Sequence, residues 1–69
     1  MPRRVKVREA IRIVQREGWT LVDTRGSHRQ FRHPVRPGKV TIPGSLAEVL
    51  HPKTWGTILK QAGISKEEW

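Results

Sequence analysis

The tetrapeptide Gly26-Ser27-His28-Arg29 contains the residues best suited to chemistry. Histidine takes up and releases a proton near neutral pH, so an accessible one can serve as a general base or a general acid. Arginine beside it provides a permanent positive charge that attracts phosphate. The combination predicts a proton-transfer site on a cationic surface, with nucleic acid as the class of substrate that such a surface suits.

A competing interpretation applies to each histidine. A histidine exposed on a strand often has no role at all, and the local pattern around His28 taken alone favours that interpretation. His33 enters a loop that contains proline, and His51 precedes a helix that it can help to cap, so both are interpreted as structural.

The composition of the chain limits the classes of protein to which it can belong. A chain of 69 residues predicts one domain, 1–69, with a modest core. Without cysteine there is neither a disulfide nor a thiolate zinc site, and three scattered histidines have no metal-ligand spacing, so neither metal nor other cofactor is expected. The absence of cysteine is compatible with a reducing cytoplasm, which is the expected location. The basic N-terminus is followed by no apolar run, which predicts no signal peptide and no membrane span.

Positive charge is concentrated in the first part of the chain. Residues 1–40 contain eleven lysines and arginines against three acids, whereas residues 41–69 contain three of each. This asymmetry favours a polyanionic partner, because each neutralised phosphate releases counterions. The alternative is that the charge only keeps a small protein soluble.

Apolar periodicity predicts a helix at each end of the chain. The first covers about residues 5–17 and ends at Gly18, with a buried stripe of Val7, Ala10, Ile11 and Val14. Arginines at i+4 steps occupy a different face of it: Arg8, Arg12 and Arg16. The second begins near Pro52 and ends at Gly63, with a buried stripe of Trp55, Ile58, Leu59 and Ala62. The segment 45–50 is predicted as a loop or one helical turn, and Ser65 with Glu68 predicts a last short turn ending at Trp69.

Three strands are predicted between the helices, at about 19–24, 27–33 and 39–42, the first two joined by a turn at Arg25-Gly26. Alternation along the second strand separates Phe31 from His28, so a buried Phe31 leaves His28 accessible on the other face. In the third strand, Val40 and Ile42 point inward and Lys39 points outward. The fold class is therefore α+β, in the order α-β-β-β-α: a three-stranded antiparallel sheet with two helices on one face.

Several short strings occur in the order and spacing of one known family. They are Gly18-Trp19, Gly26-Ser27-His28-Arg29, Phe31-Arg32-His33, Val40-Thr41-Ile42-Pro43 and Ile58-Leu59-Lys60-Gln61-Ala62-Gly63-Ile64. Across almost its full length the chain resembles the HicA-type mRNA interferase toxins of type II toxin–antitoxin systems. The resemblance implies a fold like that of a double-stranded-RNA-binding domain and metal-independent cleavage of messenger RNA. It further implies that His28 carries the activity and that a HicB-type antitoxin covers the site. Many members have a second histidine where this chain has Ser45.

The expected reaction is RNA cleavage that uses His28 as its only histidine. Metal-independent RNA cleavage generally uses the substrate's own 2′-hydroxyl, from which His28 would take the proton. The expected RNA contacts are Ser27, Arg29, Arg32 and Lys39, with Lys39 favoured for stabilising the phosphate because it lies on the polar face. Arg29 shares the face of Phe31 and reaches phosphate only where the strand ends or twists. The main alternative is a non-catalytic RNA-binding module with the same fold, and a further one is an adaptor whose open sheet face binds another protein.

Overall fold

The elements follow one another as helix, three strands and helix. A computed structural model describes residues 4–65. Helix α1 spans Val7–Arg16, strands β1, β2 and β3 span Thr20–Arg25, His28–Arg32 and Val40–Ile42, and helix α2 spans Pro52–Ala62. The strands pair antiparallel in the order β1-β2-β3. The predicted α+β class and element order are thereby confirmed. The short turn that is predicted to end at Trp69 extends past Ser65, so it lies outside the described residues.

Helix α1 begins later than the sequence predicts. Lys6 is extended and forms an antiparallel bridge with Val49, so the helix starts at Val7. The side chain of Glu9 accepts a hydrogen bond from the backbone N–H of Lys6 at 3.4 Å, which ties down that first turn. The buried stripe consists of Val7, Ala10, Ile13 and Val14. Ile11 was predicted in this stripe, but it is only partly buried, because the core contacts the helix on the side of Ile13.

Helix α2 follows its predicted pattern. His51 is the N-cap, and its Nδ1 accepts from the backbone N–H of Lys53 at 3.1 Å. The buried residues are the predicted four: Trp55, Ile58, Leu59 and Ala62. Both glycines that were predicted to end the helices have positive φ, 96° at Gly18 and 71° at Gly63. Within residues 4–65, neither helix has the length and apolar character needed to cross a membrane.

The two helices cover only part of the sheet. Phe31, Val40 and Ile42 are fully buried on the covered face, and both helices contact β3. Every residue of β1 is exposed, including Leu21 and Val22, and an irregularity in the pairing lies between Leu21 and Asp23. The opposite face of the sheet is open, so strand alternation leaves polar side chains accessible along it.

Both helices begin at the same end of the molecule. The N–H of Val7 donates to the carbonyl of Glu48 at 2.9 Å, and the guanidinium of Arg29 donates to the carbonyl of Gly44 at 2.9 Å. These bonds bring the first turn of α1, the segment 43–51 before α2 and the start of β2 together, and we call this the His28 end. At the far end, the Trp19 indole donates to the carbonyl of Ala62, the last residue of α2, at 3.3 Å.

Candidate nucleic-acid interface

A tight turn sets the position of His28. Strands β1 and β2 are joined by Gly26 and Ser27 alone, and of these two only Gly26 has a positive φ, of 59°. This is the pattern of a type II′ hairpin turn, which favours glycine at its first central position. His28 is therefore the first residue of β2. Its ring is exposed and has no hydrogen bond to any other residue in the range 4–65.

The register of β1 and β2 places a cation directly across from His28. Arg25 pairs with His28, and Asp23 pairs with Gln30, so all four side chains share the open face. The Nε of Arg25 donates to the Oδ2 of Asp23 at 3.2 Å, in an ion pair whose side chains are 82% and 46% exposed. Arg25 was not among the residues predicted from the sequence to contact RNA. The sequence predicts the turn at Arg25-Gly26, which would pair Thr24 with Ser27, but the turn lies one residue later, at Gly26-Ser27, and so pairs Arg25 with His28.

Lys39 and Arg32 lie farther from His28 along the same face. The Nζ of Lys39 donates to the side-chain oxygen of Gln30 at 3.4 Å, which confirms the predicted parity of Lys39. Arg32 donates to the carbonyl of Gly38 at 3.4 Å. His28 and Arg32 are at opposite ends of β2, about 13 Å apart at the usual rise per residue. The structure thus extends the cationic surface along β2 and does not gather it around His28.

Arg29 and Ser27 have different surroundings. Arg29 lies on the side of the sheet that includes Phe31, and it is half-buried. Its Nη1 donates to the carbonyl of Gly44 at 2.9 Å and to that of Ser27 at 3.5 Å, so it braces the end of β3 against the start of β2. Ser27 is exposed in the turn. Among residues 4–65 no three histidines or carboxylates stand close enough to form a metal site.

Nearly all of the chain that forms these elements matches a known protein family. The family model described as HicA toxin of bacterial toxin-antitoxin matches residues 7–64, from the first residue of α1 to just beyond α2. The chain belongs to the HicA toxin family. No curated protein matches it. Membership implies that the protein is the toxin of a toxin–antitoxin pair and has an antitoxin as its partner.

The strings that indicated the HicA family lie in two places in the fold. Gly26-Ser27-His28-Arg29 and Pro43 lie at the His28 end. Trp19, His33 and Gly63 lie at the far end, where they join α1, the loop after β2 and α2. One group thus presents the exposed histidine, while the other holds the elements together.

His33 is structural, as its position in a proline loop predicts. Its Nδ1 accepts from the backbone N–H groups of Val35 and Arg36, each at 3.0 Å. A neutral imidazole with Nδ1 as acceptor carries its proton on Nε2, which donates to the carbonyl of Glu17 at 2.9 Å. The ring also stands edge-on to Trp19, with 5.2 Å between the ring centroids. Both nitrogens are engaged, which leaves His28 as the histidine in residues 4–65 with neither nitrogen bonded.

Ser45 lies two residues after Pro43, at the position where the resemblance to the HicA family implies a histidine in many members. Its hydroxyl donates to Oε1 of Glu48 at 3.3 Å, and the backbone N–H of Glu48 donates to the carbonyl of Ser45 at 3.0 Å. These two bonds close a turn at the His28 end. The segment 45–50, predicted as a loop or a helical turn, is a turn followed by the bridge at Val49.

Proposed function

We propose that this HicA toxin is an endoribonuclease that cleaves messenger RNA in the cytoplasm, with His28 as the general base and without a metal ion. The observation that supports this is the exposed ring of His28, both of whose nitrogens lack a hydrogen-bond partner within residues 4–65. It stands opposite Arg25 on an open, cationic sheet face in a chain of a toxin family. The histidines at positions 33 and 51 have structural partners and are poorly placed for the same role.

In the proposed reaction, a nitrogen of the neutral His28 ring takes the proton from a 2′-hydroxyl of the RNA. That oxygen attacks the adjacent phosphorus and forms a P–O bond, while the bond from phosphorus to the 5′-oxygen breaks. The products are a 2′,3′-cyclic phosphate and a 5′-hydroxyl, whose proton comes from water, and His28 returns its own proton to solvent. A well-placed general base contributes about 10²–10⁴-fold to such a rate.

The surrounding cations have separate roles in this proposal. Arg25 lies across from His28 and stabilises the negative charge that develops on the phosphate. Lys39 and Arg32 bind the strand farther along β2, and Ser27 binds phosphate at the turn. Arg29 contacts RNA through the N–H groups that it does not donate to Gly44 and Ser27. A HicB-type antitoxin would inhibit the toxin by covering this open face.

The test compares two histidine substitutions in messenger RNA cleavage with EDTA present. His28→Ala should lower the cleavage rate about 10²–10⁴-fold, because it removes the base. His51→Asn is the matched control, since it removes another exposed imidazole but retains an N-cap acceptor for α2. It should cleave at the wild-type rate. Products are read on a denaturing gel, and the cyclic phosphate is identified by mass spectrometry.

Other outcomes would contradict the proposal. If wild type and His28→Ala bind RNA equally and neither cleaves it, the protein is an RNA-binding module. If His28→Ala cleaves as fast as wild type, or still arrests growth on expression, His28 is not the base. Loss of cleavage on chelation would reject the metal-independent mechanism.

A further inference from the structure

Three arginines form a row on the outer surface of α1. Arg8, Arg12 and Arg16 follow one another at i+4 steps, and all three are exposed. At 100° per residue they point away from the buried stripe of the same helix, so they lie on the opposite side of the molecule from the open sheet face. We call these three residues the α1 row.

The arginines of the α1 row are not paired with any acid in the described part of the chain. The guanidinium groups of its three arginines make no hydrogen bond or ion pair with any residue between 4 and 65. Like charges at i and i+4 destabilise a helix. Helix α2, by contrast, has its two lysines seven positions apart, at Lys53 and Lys60. The stability of the fold therefore does not explain why three arginines follow one another on this helix. The binding of an external anion would explain it.

The row begins at the end of the molecule where His28 lies. The backbone N–H of Arg8 donates to the carbonyl of Leu46 at 3.2 Å, and the neighbouring Gly44 accepts from Arg29, the residue after His28. A strand that leaves His28 can therefore pass over the His28 end to Arg8 and continue along α1. Successive arginines rise about 6 Å along the helix axis, which lets each contact a separate phosphate of an extended strand.

We propose that the α1 row is a second RNA-binding surface, which binds the backbone phosphates of a single strand whose scissile bond lies at His28. The identity of the polyanion rests on the proposed function, whereas the site itself rests on the row. Arginine pairs with phosphate in bidentate fashion, and phosphate contacts carry no sequence information, so the row contributes affinity for any RNA sequence.

The absence of an apolar anchor favours RNA over a protein at this surface. The centre of a protein–protein interface needs large buried side chains. The large apolar side chains that are exposed within residues 4–65 all lie elsewhere: Leu21, Val22, Val35, Leu46 and Val49. The outer face of α1 therefore presents cationic side chains without a large exposed apolar one, which suits a phosphate backbone.

The test measures how RNA binding depends on salt. The probe is a labelled 2′-O-methyl oligoribonucleotide, which has no free 2′-hydroxyl and so is bound without being cleaved. Its dissociation constant is measured by fluorescence anisotropy over a series of NaCl concentrations. For the variant Arg8→Gln/Arg12→Gln/Arg16→Gln, the slope of log Kd against log salt should fall by about 2, because each phosphate contact on a single strand contributes about 0.7.

A matched pair of single substitutions controls for net charge. Arg12→Gln and Lys60→Gln each remove one positive charge from an exposed helix position. Arg12→Gln should lower the slope by about 0.7, and Lys60→Gln should leave it unchanged. The melting temperature of the triple variant should equal or slightly exceed that of the wild type, because like-charge repulsion within α1 is relieved.

Three results would overturn the inference. The slope could stay unchanged in the triple variant, or it could fall equally for Arg12→Gln and Lys60→Gln. The triple variant could also keep its RNA slope yet lose binding to the antitoxin, which would assign the row to a protein partner. A failure of the proposed function can be distinguished from these results. If the wild-type protein cleaves no RNA but the slope changes as predicted, the row is still supported as an RNA-binding surface.

Discussion

At the scale of single residues, the proposed cleavage depends on the position of Arg25 relative to His28. Cross-strand pairing puts the two side chains next to each other on an open face. Arg25 is also paired with Asp23, at 3.2 Å. Exposed ion pairs of this kind contribute about 0–1 kcal/mol to stability, so Arg25 can exchange this partner for a phosphate at little cost.

This arrangement predicts different effects for the two partners, one on the rate constant and the other on affinity. Arg25→Gln should lower the cleavage rate constant at saturating RNA about tenfold, less than the 10²–10³ lost with a buried oxyanion donor, because solvent screens Arg25. Asp23→Asn should keep that rate constant and tighten RNA binding, since it removes a negative charge and frees Arg25. Single-turnover kinetics at several RNA concentrations separates the rate constant from affinity.

Arg32→Gln is the control for the loss of a positive charge on the same face. Arg32 lies at the other end of β2 from His28, so its substitution should weaken RNA binding but leave the rate constant at saturation unchanged. An equal fall in rate constant for Arg25→Gln and Arg32→Gln would mean that Arg25 acts only through general charge.

At the scale of elements, the far end of the molecule holds α2 and the loop after β2 together. Gly63 ends α2 with φ 71°, and the guanidinium of Arg36 occupies the space that a Cβ on Gly63 would need. A cation at this position also interacts favourably with the C-terminal end of the helix dipole. Trp19 adds a direct hydrogen bond to Ala62, the last residue of α2.

Gly38 and Gly63 have similar backbone conformations, both with positive φ. Gly38 has φ 82° and open space where its Cβ would lie, whereas Gly63 has Arg36 there. Gly38→Ala should lower the free energy of unfolding by about 1–2 kcal/mol, the cost of a left-handed conformation. Gly63→Ala should lower it slightly further, because the flexible end of the exposed Arg36 side chain must also move. Urea unfolding followed by circular dichroism measures both.

A double-mutant cycle isolates the contact. Gly63→Ala and Arg36→Ala together should cost less than the sum of the two single changes, since the clash disappears with the arginine. Strict additivity of the two, or an equal loss for Gly38→Ala and Gly63→Ala, would show that Arg36 does not restrict this position.

Local patterns were sufficient to predict the elements and the accessibility of His28. The stripe of α2 and the alternation of Phe31 with His28 are properties of sequence spacing, and both are confirmed. Register and long-range pairing depend on which segments meet in space. Spacing therefore missed Arg25 as the neighbour of His28, and it missed the pairing of Lys6 with Val49 that delays α1.

At the scale of the whole molecule, one core cluster connects both helices and the sheet. It includes Val5 before α1 and Ile64 after α2, as well as Trp19 and Trp55. In so small a chain, few side chains carry the stability, so each large one matters. The two tryptophans are almost equally buried, at 2% and 6% exposure, but they differ in hydrogen bonding.

This difference in hydrogen bonding predicts that the change from tryptophan to phenylalanine lowers the free energy of unfolding by different amounts at the two positions. The indole N–H of Trp19 donates to the carbonyl of Ala62, whereas that of Trp55 is buried without an acceptor among residues 4–65. Both changes to phenylalanine leave a cavity. Trp19→Phe also leaves the Ala62 carbonyl without this donor, whereas Trp55→Phe removes an unsatisfied donor. Trp19→Phe should therefore cost about 1–3 kcal/mol more than Trp55→Phe in the free energy of unfolding.

Chemical unfolding of both variants at equal protein concentration provides the comparison, with the denaturant dependence checked to be the same for each. Neither tryptophan lies on the open face, so neither variant should change the salt dependence of RNA binding while it remains folded. If Trp55→Phe were the more destabilising, the far-end bond between Trp19 and α2 would contribute less to stability than packing around Trp55. The fold would then be held chiefly by the packing of α2, and not by the bond that joins the end of α2 to the start of β1.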